Sequence, residues 1–563
     1  MTTRDGRPLG SGRVAVVGAG PQGLTMLKAL REDGYNVTAY ERRERVGGLW
    51  AWSENPSYTT ALQSTRANIS KFTCGFTDYP IPDKYNTYMT PQELQEFMQD
   101  YAEHFDLLKD IVFGANVNKA RRNADDSAWL LDIEKENGST ETVEYDKVAF
   151  CSGYQSKAII PTFEGQDKFE GTIIHSQAFR NENAFKDKNV VVVGLSSTAG
   201  DIIPVLMPVA SKVYISHRRG ALPYRRYRNK VPNDLLITWR RRTLSQTFVR
   251  YFPRLSKWAA DKAVTWFTHK MWPNLDPTWR MAPFPSITLK LPGSFELVMP
   301  YLENGQLTSL HGLTRFVGPK SLEFADGTIL DDIDGVVLCT GYTADWSPLT
   351  PDLIKTSMPK NSPWYKGPPL YRLYMNMFPP EYADSLAVLT HSAFGKSNGF
   401  SFGTVIGWAV SNVFRGVEPL PPLSEMNRQI DAHHDWIASR WKMDPATDTS
   451  AVKQWEYSAW LHNAAGTGME NLGWGWKGWK FWWKDAKMYR LMNHGVDTAH
   501  AAAYFETGKR PVWEGAREAI LHANEVVGEM FPLKEVDWPP EDHWVGMSGR
   551  GGKGGKKGKS KAV

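Results

Sequence analysis

The 563-residue sequence holds only three cysteines, Cys74, Cys151 and Cys339. They lie far apart with no CxxC pair, which argues against a disulfide scaffold, a zinc site and a flavin disulfide reductase. So little cysteine suits a reducing compartment, and a cytoplasmic location is expected. The N-terminus lacks the apolar core of a signal peptide, and no stretch approaches the roughly 20 apolar residues that span a bilayer. The expectation is a soluble protein with at most peripheral membrane contact. Also missing are a Ser-His-Asp arrangement, paired acids and metal-ligand spacing. No metal is expected, and the difficult chemistry should reside in a bound organic cofactor.

Acids are absent from the last segment, residues 549–563, which carries Arg550, Lys553, Lys556, Lys557, Lys559 and Lys561; setting these six aside turns the formal charge of +5 into −1. Such a glycine- and lysine-rich tail cannot bury a core and is expected to be disordered. A second basic run, from Arg225 through Arg226, Arg228, Lys230, Arg240, Arg241, Arg242, Arg250 and Arg254 to Lys257, is interleaved with Tyr227, Trp239, Phe248 and Tyr251. It reads as an amphipathic helical insertion, about 220–290, with its aromatic face on the protein and its arginines in water; a membrane surface is the alternative. No nucleic-acid-binding fold accompanies it, so no specific nucleic-acid partner is expected. The segment GWGWKGWKFWWKD, with Trp474, Trp476, Trp479, Trp482 and Trp483, is expected in a core or a subunit contact, which leaves a homodimer open.

What the chain does have is two glycine turns, each fed by small β-branched residues. In the first, Val14–Val17 leads into Gly18, Gly20 and Gly23, Pro21 and Gln22 open a helix, and the next strand ends at Glu41. Gly18 allows the tight turn, Gly20 lets the backbone approach a pyrophosphate, Gly23 lets helix and sheet pack, and Glu41 is placed to accept from an adenosine ribose. The second turn, Gly194 to Ala199, carries Ser196 in place of the middle glycine, followed by Ser197 and Thr198. Its next strand, VYIS, ends in His217, Arg218 and Arg219 where the first unit has an acid. A guanidinium pairs with phosphate oxygens, so this site reads as NADPH and the first as FAD.

Two apolar strands, Lys147–Tyr154 and Gly335–Tyr342, end in Cys-Ser/Thr-Gly-Tyr and bracket the second turn. They look like chain crossings into and out of an inserted domain. The expected architecture is α/β with two Rossmann-like dinucleotide-binding domains: an FAD domain from 1–153 and 335–548, an NADPH domain at 154–334, and a helical C-terminal extension. Thr90 and Glu93 have the form of a capping box opening the helix PQELQEFMQDYAEHF.

Further motifs carry a family resemblance: RRERVGGLW after Glu41, NISKFTCGFTDYP from Asn68 to Pro80, and a linker in which Phe169, Gly171, His175 and Phe179 stand in order. Together with LCTGY, FPPEY and WEGAREAIL, they make the chain resemble the flavin-containing monooxygenases, the dimethylaniline monooxygenase-like enzymes, over nearly its whole length. The resemblance implies an FAD- and NADPH-dependent monooxygenase using dioxygen and a small organic substrate. In that family NADPH reduces FAD, dioxygen forms a flavin hydroperoxide, and bound NADP⁺ shields it until a nucleophilic nitrogen or sulfur takes the distal oxygen. Asn68 matches the asparagine near the flavin ring, the catalytic assignment here, and Gly47, Gly48, Leu49 and Trp50 match a second FAD contact. The polar tail departs from the apolar anchor of membrane members.

Baeyer–Villiger insertion beside a ketone uses the same cofactors and stays an alternative. Enzymes of that kind carry tryptophan followed by proline or aspartate where this chain has Phe179 and Arg180, so heteroatom oxygenation is preferred. A third reading, an NADPH oxidase, rests on Ser196 crowding the pyrophosphate.

Overall fold

The computed structural model describes residues 9–531 except 291, 350, 352, 390–398 and 511; the basic tail at 549–563 lies outside the described residues.

Small β-branched residues buried on both faces build two separate five-stranded parallel sheets, as helix-covered sheets require. In the first, the strand order is Leu386–Val388, Lys147–Phe150, Arg13–Val17, Asn36–Glu41, Ile111–Phe113. In the second it is Leu307–Leu310, Lys212–Ser216, Asn189–Val193, Gly335–Leu338, Thr172–His175. Each glycine turn follows its sheet's central strand and opens a helix, Pro21–Glu32 in one and Ser197–Leu206 in the other. The fold is therefore α/β with two Rossmann-like cores, and a helical C-terminal region follows, including Leu423–Met443, Gln454–Ala465 and Ala516–Met530. The capping box forms: Thr90 Oγ1 accepts from the Glu93 amide at 3.0 Å and Glu93 Oε2 from the Thr90 amide at 2.8 Å, opening the helix Pro91–His104.

One boundary moves. Gly335–Leu338 was expected in the first domain, but it pairs with Asn189–Val193 in the second sheet, and the strand returning to the first sheet is Leu386–Val388. The two crossing strands look alike because each flanks the central strand of its own sheet.

The basic insertion also differs from expectation. It forms the helices Trp239–Tyr251 and Pro253–Met271, but Arg226 and Arg240 are buried, whereas Tyr251, Phe252, Trp258 and Trp266 are 55–63% exposed. Arg240 is satisfied inside, donating to Leu472 O and Tyr489 Oη with its guanidinium 3.9 Å from the Trp474 ring centre. The two helices bury only Arg240, Ser256 and Thr268; Trp239 packs beside Leu472 and His462 as expected of the aromatic face, and little protein underlies the aromatic side chains beyond it. The tryptophan segment is not core either. Its helix Trp476–Lys484 buries Gly478 and Phe481 and leaves every tryptophan in it exposed.

Candidate active site

Both glycine turns are closed from behind in the same way. A Cβ on Gly18, whose φ is +100°, would lie 2.8 Å from the Cys151 carbonyl oxygen, and one on Gly194, at φ +108°, would lie 2.4 Å from that of Cys339. The repeated Cys-Ser/Thr-Gly-Tyr segments thus supply the backbone against which each turn packs. All three cysteines are buried free thiols, and burial pushes each thiol up, Cys74 to about 12. They are structural and poor nucleophiles.

The first turn meets the demands of a pyrophosphate. Gly23 cannot bear a side chain, because its Cβ would stand 1.8 Å from Gly18 O. Gly20 is different: its backbone is extended at φ −74° and ψ −175°, and a Cβ there would meet no protein atom nearer than Gly48 Cα at 3.5 Å. Neither packing nor conformation requires glycine at position 20. The open space beside it faces the start of the helix Pro21–Glu32, whose first amides, at Gln22 and Gly23, have no intrahelical partner and suit a phosphate. Gly48, Leu49 and Trp50 form a short 3₁₀ turn opposite, tied back by the Gly47 amide to Ala19 O and by Leu49 O to the Ala61 amide.

Glu41 sits at the end of its strand, buried, with Oε2 accepting from the Ala19 amide at 2.7 Å and Oε1 from the Arg43 amide at 3.0 Å. Each oxygen keeps a lone pair for a hydroxyl. Arg43, which the sequence reading passed over, donates to Ala51 O and Thr59 O, both at 2.6 Å, and so fixes the loop bearing Gly48 to Trp50. Its only sequence signal was its place two residues after Glu41.

At the second turn Ser196 caps the helix Ser197–Leu206 and is exposed, with Thr198 partly buried and Ala199 fully buried. Gly293 packs on it so closely that a Cβ there would lie 2.5 Å from Ser196 Oγ, and the Ser294 amide donates to Ser197 Oγ at 3.0 Å. Arg218 and Arg219 stand exposed past the strand Lys212–Ser216, with no acidic partner among the described residues, and the Arg218 stem crosses Gly312. Free guanidinium donors suit a 2′-phosphate.

The two units meet at residues 65–73. Asn68 is exposed, its Nδ2 is 3.5 Å from Ser197 Oγ, and its Oδ1 accepts from Arg226 Nη2 at 3.0 Å. The same guanidinium donates to Arg66 O and Ala67 O and pairs with Glu296, each at 3.0 Å. Asp234 accepts from the Ser70 amide and from the hydroxyls of Ser70 and Thr73. Asp201, on the second turn's helix, accepts from Thr65 Oγ1 at 3.0 Å, and burial pushes its carboxyl up to about 6. Sequence reasoning found Asn68 and Ser197 but missed Arg226, Asp201 and Asp234 as partners of this segment. Arg226 was visible only as one member of a basic run.

The linker motif is a packing device. Phe179 is buried against Phe185, a Cβ on Gly171 would strike Asp334 O at 2.6 Å, and the His175 ring meets the Tyr342 ring edge-on. Gln177 Nε2 bridges Thr59 Oγ1 and Ser156 O, and Arg180 donates to Gln177 O and Tyr58 O.

The family model described as flavin-binding monooxygenase-like matches residues 11–537. The chain is 34% identical over 517 residues to Monooxygenase aurF of Gibberella zeae, covering 91% of this chain and 97% of that one. It is 31% identical to flavin-containing monooxygenase 5 of Cavia porcellus, over 76% of this chain and 78% of the relative. Among solved structures, S-allyl-L-cysteine S-oxygenase from Allium sativum superposes with a TM-score of 0.59 at 18% identity, covering 92% and 99% of the two chains. A closed form of cyclohexanone monooxygenase gives 0.57 at 17%, covering 82% and 98%; both likenesses establish the fold. The chain belongs to the flavin-binding monooxygenase-like family and is a monooxygenase whose cofactors are FAD and NADPH.

Proposed function

We propose that this enzyme transfers one oxygen atom of dioxygen to a soft nitrogen or sulfur of a small organic molecule. The balance is one substrate, one dioxygen, one NADPH and one proton giving the oxygenated substrate, NADP⁺ and water. FAD, when bound, supplies the redox chemistry. Gly18, Gly20, Pro21, Gln22, Gly23 and Glu41, with Gly48, Leu49 and Trp50, hold FAD. Gly194, Ser196, Ser197, Thr198 and Ala199, with Arg218 and Arg219, hold NADPH. Asn68 acts beside the flavin ring, oriented by Arg226, and the packed linker and the loop fixed by Arg43 keep water out.

The observation that carries the preference for a heteroatom is Phe179 followed by Arg180, whose guanidinium is spent on carbonyls of its own linker and of Tyr58. The 28% identity to dimethylaniline monooxygenase [N-oxide-forming] 2 of Cavia porcellus, over 93% of both chains, supports the same direction. The experiment offers the FAD-loaded enzyme an amine, a thioether and a ketone with NADPH and dioxygen. An N-oxide or sulfoxide supports the reading. Ester or lactone as sole product replaces it with Baeyer–Villiger insertion, and hydrogen peroxide equal to the NADPH consumed, with no organic product, replaces it with an oxidase.

A further inference from the structure

Asp234 is a second grip of the NADPH unit on the segment that carries Asn68, opposite in charge to Arg226. Its Oδ2 accepts from the Ser70 amide at 3.1 Å, from Ser70 Oγ at 2.6 Å and from Thr73 Oγ1 at 2.6 Å. Ser70 precedes the helical turn Lys71–Cys74 without capping it through its own side chain; its hydroxyl is given to the other unit instead. Ser70 and Thr73 are buried. Without the carboxylate, two hydroxyls and an amide lose their acceptor where water does not reach, and the segment must shift to satisfy them.

Both grips come from one rigid element. Arg226 and Asp234 flank a hairpin, Tyr227–Arg228 paired with Val231–Pro232, whose turn residues Asn229 and Lys230 have φ of 49° and 63°. The Asn233 amide donates to Arg226 O at 2.8 Å and closes the base of the hairpin, which fixes the spacing of guanidinium and carboxylate. Neither charge is spent on the other: Arg226 pairs with Glu296, and Asp234 takes hydroxyl and amide donors. The first unit holds the same stretch at its two ends, through the Ala67 amide to Met89 O at 2.9 Å and the Lys71 amide to Thr87 O at 2.8 Å. Between those points, Arg226 holds the Asn68 side chain and Asp234 holds the Ser70 backbone.

We propose that Asp234 is a positioning residue for oxygen transfer: it fixes the backbone that bears Asn68, while Arg226 fixes the Asn68 amide. Two opposite charges on one hairpin of the second unit thereby set the place of an asparagine of the first. The inference rests on the role given above to Asn68 beside the flavin ring. Loss of Asp234 displaces Asn68 without touching the residues assigned to either nucleotide. NADPH, a proton and dioxygen then give NADP⁺ and hydrogen peroxide in place of oxygenated substrate.

The test compares full-length, FAD-loaded wild type with Asp234→Ala and Asp234→Asn. It reads hydrogen exchange over residues 66–74 by mass spectrometry, and organic product per NADPH consumed with a thioether as substrate. Asp234→Ala should speed exchange in that stretch and cut product yield roughly tenfold, as for a lost charged hydrogen bond, with KM for NADPH unchanged. Asp234→Asn, whose amide oxygen still accepts, should recover part of both. Should Asp234→Ala fail to fold, S70A/T73V removes the same contact from the first unit and should show the same two changes; where both fold, combining them should add little. Wild-type exchange in the folded variants overturns the proposal, as does faster exchange with wild-type product yield, the mark of a purely structural contact. A wild type that forms no organic product sinks the oxygenation reading instead, and the exchange comparison alone then decides whether Asp234 holds the segment.

Discussion

Arg226 donates to Asn68 Oδ1 at 3.0 Å while pairing through its other terminal nitrogen with Glu296 at the same distance. A residue of the second unit therefore sets the orientation of an amide contributed by the first. The planar guanidinium also holds the carbonyls of Arg66 and Ala67, so four acceptors are arranged around one rigid fork.

Arg226→Lys keeps the charge and loses the fork. Lysine has a single ammonium and cannot span those acceptors, so Glu296 retains a counter-ion while Asn68 becomes free to rotate. The expected outcome is normal FAD content and continuing NADPH oxidation, with organic product per NADPH falling roughly tenfold, the equivalent of one lost hydrogen-bonded position. Peroxide and product assays on the same samples check this. Product yield equal to wild type would show that Arg226 does not act through Asn68.

Two glycines three residues apart, Gly20 and Gly23, should fail for different reasons. Gly20→Val places its side chain where the protein leaves open space, so the apoprotein should keep its unfolding temperature while FAD retention is lost. Gly23→Ala drives a Cβ to within 1.8 Å of Gly18 O, so it should destabilise the apoprotein itself. Thermal unfolding without FAD, beside the flavin absorbance of purified protein, separates the two. Stoichiometric FAD in Gly20→Val would refute the placement of the pyrophosphate.

This contrast also explains which parts of the molecule were legible in the sequence. Gly18 and Gly194 stand out because positive φ and the approach of a cysteine carbonyl leave no alternative to glycine, and those demands recur wherever this turn is built. The capping box was readable because Thr90 and Glu93 interact locally. The join between the units was not. Arg226 meets Asn68 across a long sequence separation, and nothing in the run Arg225 to Arg228 distinguishes the buried guanidinium from its neighbours. Gly335–Leu338 was misassigned because a parallel strand beside a central strand reads the same in either sheet. Of the two places expected for the tryptophan helix, a core or a subunit contact, its exposure excludes the core; a sequence does not tell which face lacks protein of the same chain beneath it.

The exposed guanidinium of Arg218 gives a selective test of the second site. Arg218→Ala should weaken NADPH by about 1–3 kcal/mol and leave NADH nearly unchanged, because only NADPH carries the extra phosphate. Steady-state KM values for both nucleotides, measured at one salt concentration, check it. Equal weakening of both would place Arg218 outside the phosphate contact.

Asp201 makes stability depend on pH in a direction opposite to that of an ion-paired carboxylate. Burial raises its carboxyl from 3.8 to about 6, so the folded protein holds a proton that the unfolded chain has already released. Its contribution to stability is therefore present at low pH, falls as pH rises from the unfolded value through about 6, and is level above. The loss is at most about 3 kcal/mol, from two pKa units at 1.36 kcal/mol each. Asp201→Asn removes the titration while its amide oxygen still accepts from Thr65 Oγ1. The variant should match wild type near pH 4 and exceed it in stability near pH 8, a divergence that urea unfolding at several pH values would display. Parallel stability curves for the two proteins would mean that Asp201 is solvated enough to ionise freely beside Thr65.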